Sequence, residues 1–460
     1  MIVQVRERLV EAVRLRLKAD VPIGIYLSGG IDSSSLAGIA THLARTQTLS
    51  IGNRLTCFCV QFPDSSGLDE SDVAQRTAEW LGADLVKIMV DEQVLADYFV
   101  DATWHGEIHP LDLNSVAKHA LSRLPLERGV KAVILGEGSD EHFAGYMLFP
   151  MDYLRETDGA LPQTQLARDN GLRQRLFADA HATLQSSLEA TSVHGKSLVD
   201  LAHPAFAAIN HCSLPAAMLN WHISPQIYQP WVLKQTTCGQ EATAVVEAIP
   251  SHVRDKMLKS WHPLHTGMYI WQKNLFPNFL LSSMGDRAEM AHSIEGRHPF
   301  LDHHLADYVN RLPPSVKLSL SPPGQSVLAE DPSLGPTQET SSPTQHPLLP
   351  KLTEKWILRE AVRPFITTEL YHRKKQSFLA PMSWPAHGPL HRLLKHILTR
   401  DAIDQLGFVD SDFVLSLMPG AFGPAADSNK LRTLSAVAAW IVLAQRMGIP
   451  TATLGDWVDS

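Results

Sequence analysis

The feature that most constrains this chain is a short apolar run, Gly24 to Leu27, that breaks at Ser28-Gly29-Gly30 and restarts as a helical pattern from about Ser33 to Arg45. A strand that turns on two glycines into a helix places successive backbone N–H groups and a helix N-terminus on one spot, an arrangement that binds phosphate oxygens. Ser28, Ser33 and Ser34 add hydroxyl donors there. Asp32 would repel a bare phosphate, so its place in the loop makes sense if it holds Mg2+ against a nucleotide. No G-x-x-x-x-G-K-[ST] segment occurs, so this is not the common P-loop. A Gly-Gly turn of purely structural meaning is the competing reading.

Beyond this loop the chain alternates strand and helix. Leu55 to Phe62, Asp84 to Val90 and Lys131 to Leu135 read as further strands; Asp69 to Leu81 and Asn114 to Leu124 read as helices, the latter stopped by Pro125. Such alternation predicts an α/β fold with a parallel, doubly wound sheet and ligands at the carboxyl ends of its strands. Val3, Leu9, Val10, Val13 and Leu17 follow helical spacing, which predicts an amphipathic helix rather than a transit peptide, since Glu7, Glu11 and Asp20 interrupt the basic residues. From about Met147 the strand signals fade and helical patterns dominate to Arg311. Ser319 to Pro350 is crowded with proline, serine, threonine and glycine and reads as a flexible insertion outside the cleft. Helical pattern returns at Leu352 to Val362 and Asn429 to Arg446. The expected organisation is a core over 1–318 (an α/β part over 1–146, a mainly helical part over 147–318), the insertion over 319–350, and a helical C-terminal part over 351–460.

A second motif, Leu135-Gly136-Glu137-Gly138-Ser139-Asp140-Glu141, also directly follows a strand and puts three carboxylates at its end. If the first and fourth strands are neighbours in a parallel sheet, both motifs face one cleft, and Asp32 and Asp140 can share one Mg2+.

Three further segments complete an ordered set: Ser293-Ile294-Glu295-Gly296-Arg297-His298-Pro299-Phe300-Leu301-Asp302, then Lys355-Trp356-Ile357-Leu358-Arg359-Glu360-Ala361, then Arg373-Lys374-Lys375-Gln376-Ser377-Phe378. Together the five motifs resemble the synthetase (ATP-pyrophosphatase, adenine nucleotide α hydrolase-like) domain of glutamine-hydrolysing asparagine synthetases and their β-lactam-synthetase relatives, from about Arg6 to about Trp384. The resemblance implies ATP and Mg2+ as cofactors and activation of a carboxylate as its adenylate. Leu27, Val60, Leu135 and Gly136 match positions beside the nucleotide. Ser28, Gly29, Gly30, Asp32 and Ser33 match the pyrophosphate loop, and Asp32 and Asp140 match metal-binding aspartates. Glu137 matches a glutamate that acts in acyl-adenylate formation and amine handling, and Lys375 a lysine that stabilises charge at the α-phosphate. Aspartate or an analogue and ammonia or another amine are the implied substrates, with amidation or ring closure in small-molecule biosynthesis, or a catalytically idle binding partner, as alternatives.

The family's full-length members begin with a glutaminase domain whose nucleophile is an N-terminal cysteine. No cysteine precedes Cys57 here, so glutamine hydrolysis by that route is not expected, and a separate glutaminase is one candidate partner. Leu135 and Glu289 replace serines, His298 a valine, Ala144 a glycine, and His142 an aliphatic residue; these changes put aspartate in doubt as the substrate. Arg297, just before Pro299, reads as a loop pin. His298, His303 and His304 lack a zinc pattern. The four cysteines show no zinc spacing or disulfide framework, and Cys57 and Cys59, two apart in an apolar run, read as buried free thiols. The net charge of -8 disfavours nucleic acid as a partner. No apolar run reaches the ~18 residues of a membrane span. A cytoplasmic location is therefore expected.

Overall fold

The computed structural model describes residues 1–46, 55–110, 112–191, 203–219, 223, 225–235, 240–322 and 352–457. Five strands form one parallel sheet in the order β3-β2-β1-β4-β5: β1 (Ile23–Tyr26), β2 (Thr56–Gln61), β3 (Asp84–Met89), β4 (Ala132–Ile134) and β5 (Glu295–Arg297). β1 and β4 pair directly, Gly24 with Val133 and Ile25 with Ile134, so the Ser28 and Gly136 loops leave the same edge of the sheet side by side. The strand order reverses there, and α/β sheets bind ligands where it reverses.

The inner strands β1, β2 and β4 are largely buried with side chains on both faces, which is why they read as apolar runs rather than as alternating ones, whereas the edge strands β3 and β5 are partly exposed. Ile25, Leu27, Cys57, Cys59 and Ile134 enter one core together with α1 (Ile2–Arg16), α2 (Ile31–Thr46) and α3 (Ser71–Leu81). Tyr26, Phe58, Val133 and Leu135 enter another, under α5 (Asn114–Glu127). Burial pushes the Cys57 and Cys59 thiols up to about 12, so they are inert core residues; Cys212 is buried too, and Cys238 lies outside the described residues.

Several expectations shift. The buried stripe of α1 is Val5, Leu9, Ala12 and Val13, and Val3 is exposed, because the first turn presents Val5 rather than Val3 to the core. α5 runs through Pro125 to Glu127; a proline in the last turn gives up one backbone bond, and Arg128 N–H still reaches the Leu124 carbonyl. The helix α4 (Glu92–Gly106), capped by Asp91 accepting from Val94 N–H at 2.9 Å, has no counterpart among the sequence-based expectations. Nor has β5, a three-residue edge strand with charged residues at both ends. Most of the proline-rich stretch lies outside the described residues, but its two ends meet: Leu318–Ser319 pairs antiparallel with Thr353–Glu354. The helix after it is Trp356–Val362, and the last long helix is Ser428–Met447. Among the described residues no helix is long and apolar enough to cross a membrane.

Candidate active site

The loop after β1 is wired by its serines. Ser28 N–H donates to Ser33 Oγ at 3.0 Å, the two hydroxyls lie 3.0 Å apart, and Gly30 N–H donates to Ser28 Oγ at 3.1 Å. Asp32, in the first turn of α2, therefore points across the strand end towards the second loop. The loops touch at Gly136, where a Cβ would lie 3.1 Å from the Cβ of Asp32 and 3.3 Å from Ser33 N. Leu27 and Leu135 are fully buried beneath the loops, held by Leu27 N–H to the Phe58 carbonyl (2.9 Å) and Leu135 N–H to the Arg297 carbonyl (3.0 Å). Val60 sits near the end of β2, next in the sheet.

The three carboxylates of the second motif go three ways. Asp140, on α6 (Ser139–Phe143), turns towards Asp32. Glu141 folds back as a cap, accepting from Gly138 N–H at 3.0 Å and from Tyr146 Oη at 2.5 Å, with Trp271 Nε1 at 3.3 Å. Burial and the neighbouring Asp140 charge push its carboxyl up to about 7. Glu137 turns away from both, towards Lys118.

Asp32 and Asp140 converge on Lys355, the first residue of the fourth motif, for which the sequence suggests no role of its own. Lys355 Nζ lies 2.7 Å from both oxygens of Asp32 and 2.6 Å from Asp140 Oδ1, and its side chain is fully buried. Lys375 Nζ stands on the outer side, 3.0 Å from Asp140 Oδ2 and 3.8 Å from Asp32 Oδ2. Ser139 Oγ donates to Asp32 Oδ1 at 2.7 Å. Burial alone would raise Asp140, but Lys355 and Lys375 outweigh it and hold the carboxyl at about 2. Burial likewise disfavours the charged form of Lys375, and Asp140 and Asp32 reverse this, leaving it raised.

This geometry has local causes. Lys355 follows the short ladder of Leu318–Ser319 with Thr353–Glu354 and takes a left-handed conformation (φ 54) that aims it inward at the start of Trp356–Val362. Gly145 makes room: a Cβ there would lie 2.1 Å from Lys355 Cε and 2.0 Å from Asp140 Oδ1. Arg359, buried one turn on, donates to the Tyr371 and Arg373 carbonyls at 3.0 and 2.8 Å and pairs with Glu354, whose Oε1 also accepts from Lys375 N–H at 2.8 Å. The segment carrying Lys375 is thus tied to the helix carrying Lys355.

Glu137 belongs to a second cluster. Its Oε1 is 3.1 Å from Lys118 Nζ, and the same Nζ is 3.2 Å from Glu289 Oε1. His298 Nδ1 is 3.8 Å from Glu137 Oε2. Burial pushes the Glu137 carboxyl up, but Lys118 and His298 overcome this and leave it below the ordinary glutamate value; burial pushes His298 below the ordinary histidine value. Lys118 has no sequence signal of its own, being one of several polar residues in α5, which is buried on every face from Asn114 to Ser122.

Residues 4–442 match the family of asparagine synthases. The chain belongs to the asparagine synthase family. That family membership makes it a domain of the ATP-using, amide-forming ligase kind. It is 40% identical over 457 residues to a protein named amidase chyE of Penicillium rubens, covering 97% of this chain and 62% of that protein. It is 38% identical over 462 residues to amidase chry2 of Gibberella zeae, covering 98% of this chain and 62% of that one. A glutamine-hydrolysing asparagine synthetase of Bacillus subtilis is 23% identical over 429 residues, covering 93% and 57%. The chain thus spans about three fifths of the length of these relatives.

Within this family fold, Arg297 stands outside the cleft: it donates to the Arg16 and Lys18 carbonyls at 2.8 and 2.9 Å and pairs with Glu295, pinning the end of α1 to β5. His142 is buried against Asn310 (3.0 Å), and Ala144 adopts φ 58, a left-handed conformation that a glycine would take at lower cost. The His303 and His304 rings contact one another in a tilted arrangement, and among the described residues no three His, Cys, Asp or Glu side chains gather to hold a metal by themselves.

Proposed function

We propose that this chain activates a carboxylic acid as its acyl-adenylate, releasing pyrophosphate, and passes the acyl group to ammonia or another amine to form an amide. The single observation that carries the reading is the convergence of Asp32 and Asp140 on one cationic centre at the mouth of the Ser28–Ser33 loop. Two carboxylates that enclose an ammonium at 2.6–2.7 Å have the donor set for a hard cation whose remaining ligands are phosphate oxygens. Asp32 and Asp140 would hold Mg2+, which when bound offsets charge on the phosphates.

The chain's own groups do the rest. The N–H groups and hydroxyls of Ser28, Gly29, Gly30 and Ser33 grip the departing pyrophosphate. Leu27, Val60, Leu135 and Gly136 flank the nucleotide. Lys375, at the outer side of the aspartate pair and partly exposed, supplies a fixed positive charge where charge develops at the α-phosphate. Glu137, ionised and partly open to the cleft, accepts a proton from the amine as it attacks the acyl carbon and AMP leaves.

The carboxylate is taken to be something other than aspartate. Lys118, Glu289 and His298 crowd the ground beside Glu137 with charged and bulky groups, and two relatives with near-complete coverage of this chain are named amidases rather than asparagine synthetases. The nitrogen comes as ammonia or another amine. ATP–pyrophosphate exchange, run with Mg2+ across a panel of aliphatic, aromatic and amino-acylated acids with aspartate as the comparison, tests the proposal. Exchange with a non-aspartate acid is expected; exchange with aspartate alone would restore the asparagine reading, and none with any acid would remove adenylation.

A further inference from the structure

One charged group beside the site has no part in the chemistry above. Lys118 projects from α5 into a position with three neighbours: Glu137 Oε1 at 3.1 Å, Glu289 Oε1 at 3.2 Å and the face of the Tyr26 ring, 4.8 Å to its centroid. Glu289 is wholly buried, and its Oε2 accepts no hydrogen bond from any described residue. The floor of the sheet is shaped for that carboxylate, since a Cβ on Gly296 in β5 would lie 2.2 Å from Glu289 Oε2. A buried acid, a lysine and a second acid stacked in this way are a poor device for stability. Desolvating the charges costs more than packed apolar side chains of the same volume would.

Deepening the reading of Glu137 as the base, we propose that Lys118 is a positioning residue for it. The Lys118 ammonium grips Oε1 and is itself steered by the buried carboxylate of Glu289, so that Oε2 is left to face the amine. Oε1 is taken, while among the described residues the titratable group near Oε2 is His298 Nδ1 at 3.8 Å, too far for a hydrogen bond. The charged and titratable groups around the acid come from every neighbouring element: Lys118 on α5, His298 after β5, and, acting on Lys118 and His298, Tyr26 on β1, Glu289, Asp286 and Arg16. Glu289, whose ion pair among the described residues is with Lys118, supplies a counter-charge that keeps that ammonium from being drawn wholly onto Glu137 or out to water.

The test needs no substrate, so it stands apart from the ligase reading. Side-chain carboxyls of the full chain are labelled with carbon-13 and titrated by NMR, the Glu137 signal being the one lost in Glu137→Gln. Lys118→Met is expected to raise the Glu137 midpoint by about one to three pH units, the usual effect of removing an opposite charge at this range. Glu289→Gln alone leaves that midpoint below the ordinary glutamate value. Lys118→Met also leaves Glu289 buried and unpaired, which endangers folding; the double variant Lys118→Met/Glu289→Gln removes that charge, recovers the melting temperature and keeps the raised midpoint. A Glu137 midpoint unchanged in Lys118→Met, or returned to the native value in the double variant, overturns the proposal and reduces Lys118 to a partner of Glu289. Failure of exchange with every acid would sink the ligase reading and leave these midpoints as they are.

Discussion

Two charge clusters sit at neighbouring strand ends and are built on opposite principles. Around Asp32 and Asp140 two carboxylates meet two lysines, and the charges cancel. Around Glu137 and Glu289 two carboxyl groups share one lysine, so the acids outnumber the cation that pairs with them. A balanced cluster has no excess of negative charge to repel a phosphate that approaches with its own cation. An unbalanced one is primed to accept a proton or a positive group. The difference assigns the two halves of the proposed reaction, phosphate handling and amine handling, to two places about one loop apart.

The largest expected effect separates those halves. Glu137→Gln should lower amide formation by about 10²–10⁴-fold, the usual worth of a general base, while ATP–pyrophosphate exchange survives. If exchange falls equally, the two clusters are not functionally distinct. Lys375→Ala should act the other way round, lowering exchange by about 10²–10³-fold with ATP binding largely kept, as loss of one transition-state donor does elsewhere. Equal exchange rates in wild type and variant would take Lys375 out of the phosphate step.

Lys355→Met comes next, and its first readout is stability. Removing a fully buried cation from between two carboxylates should cost about 3–5 kcal/mol in urea unfolding. Asp32→Asn in the same chain should return part of it; a loss below ~1 kcal/mol would mean that the aspartates are solvated when Lys355 is gone. The smallest effect is a slope. Asp140 is held at about 2, so its stabilisation is present above the unfolded value and is lost only as pH falls towards 2. Glu141 is raised to about 7, so the folded chain binds the extra proton and its contribution to stability declines as pH rises from the ordinary glutamate range to about 7. Glu141→Gln should flatten that decline in melting temperature; an unchanged slope would place its origin elsewhere.

The three inner strands and both loops were legible because strands buried on both faces write themselves as apolar runs, and because glycine, serine and aspartate at a strand end leave few other uses; the partly exposed edge strand β3 was legible through Leu85, Val86 and Ile88. Asp32 and Asp140 were brought together as the motif spacing suggested. β5 was not legible: Glu295, Gly296 and Arg297 carry no apolar signal, and only pairing with β4 makes them a strand. Lys355 and Lys118 escaped for a different reason. Each is one lysine among many in the sequence, and what singles them out is position in space: a left-handed backbone at Lys355, and at Lys118 a helix face that happens to look down on Tyr26. The replacement of serine by Glu289 was visible, but its partner was not.

The two-residue ladder between Leu318–Ser319 and Thr353–Glu354 has a consequence for how such a chain can change. It stands immediately before Lys355, and it fixes where the polypeptide re-enters the core whatever the number of residues between its two sides. Closing a longer loop costs only about 0.6 kcal/mol per doubling of length. Changes in the length of the intervening stretch are therefore expected to leave Lys355 in place as long as the ladder forms.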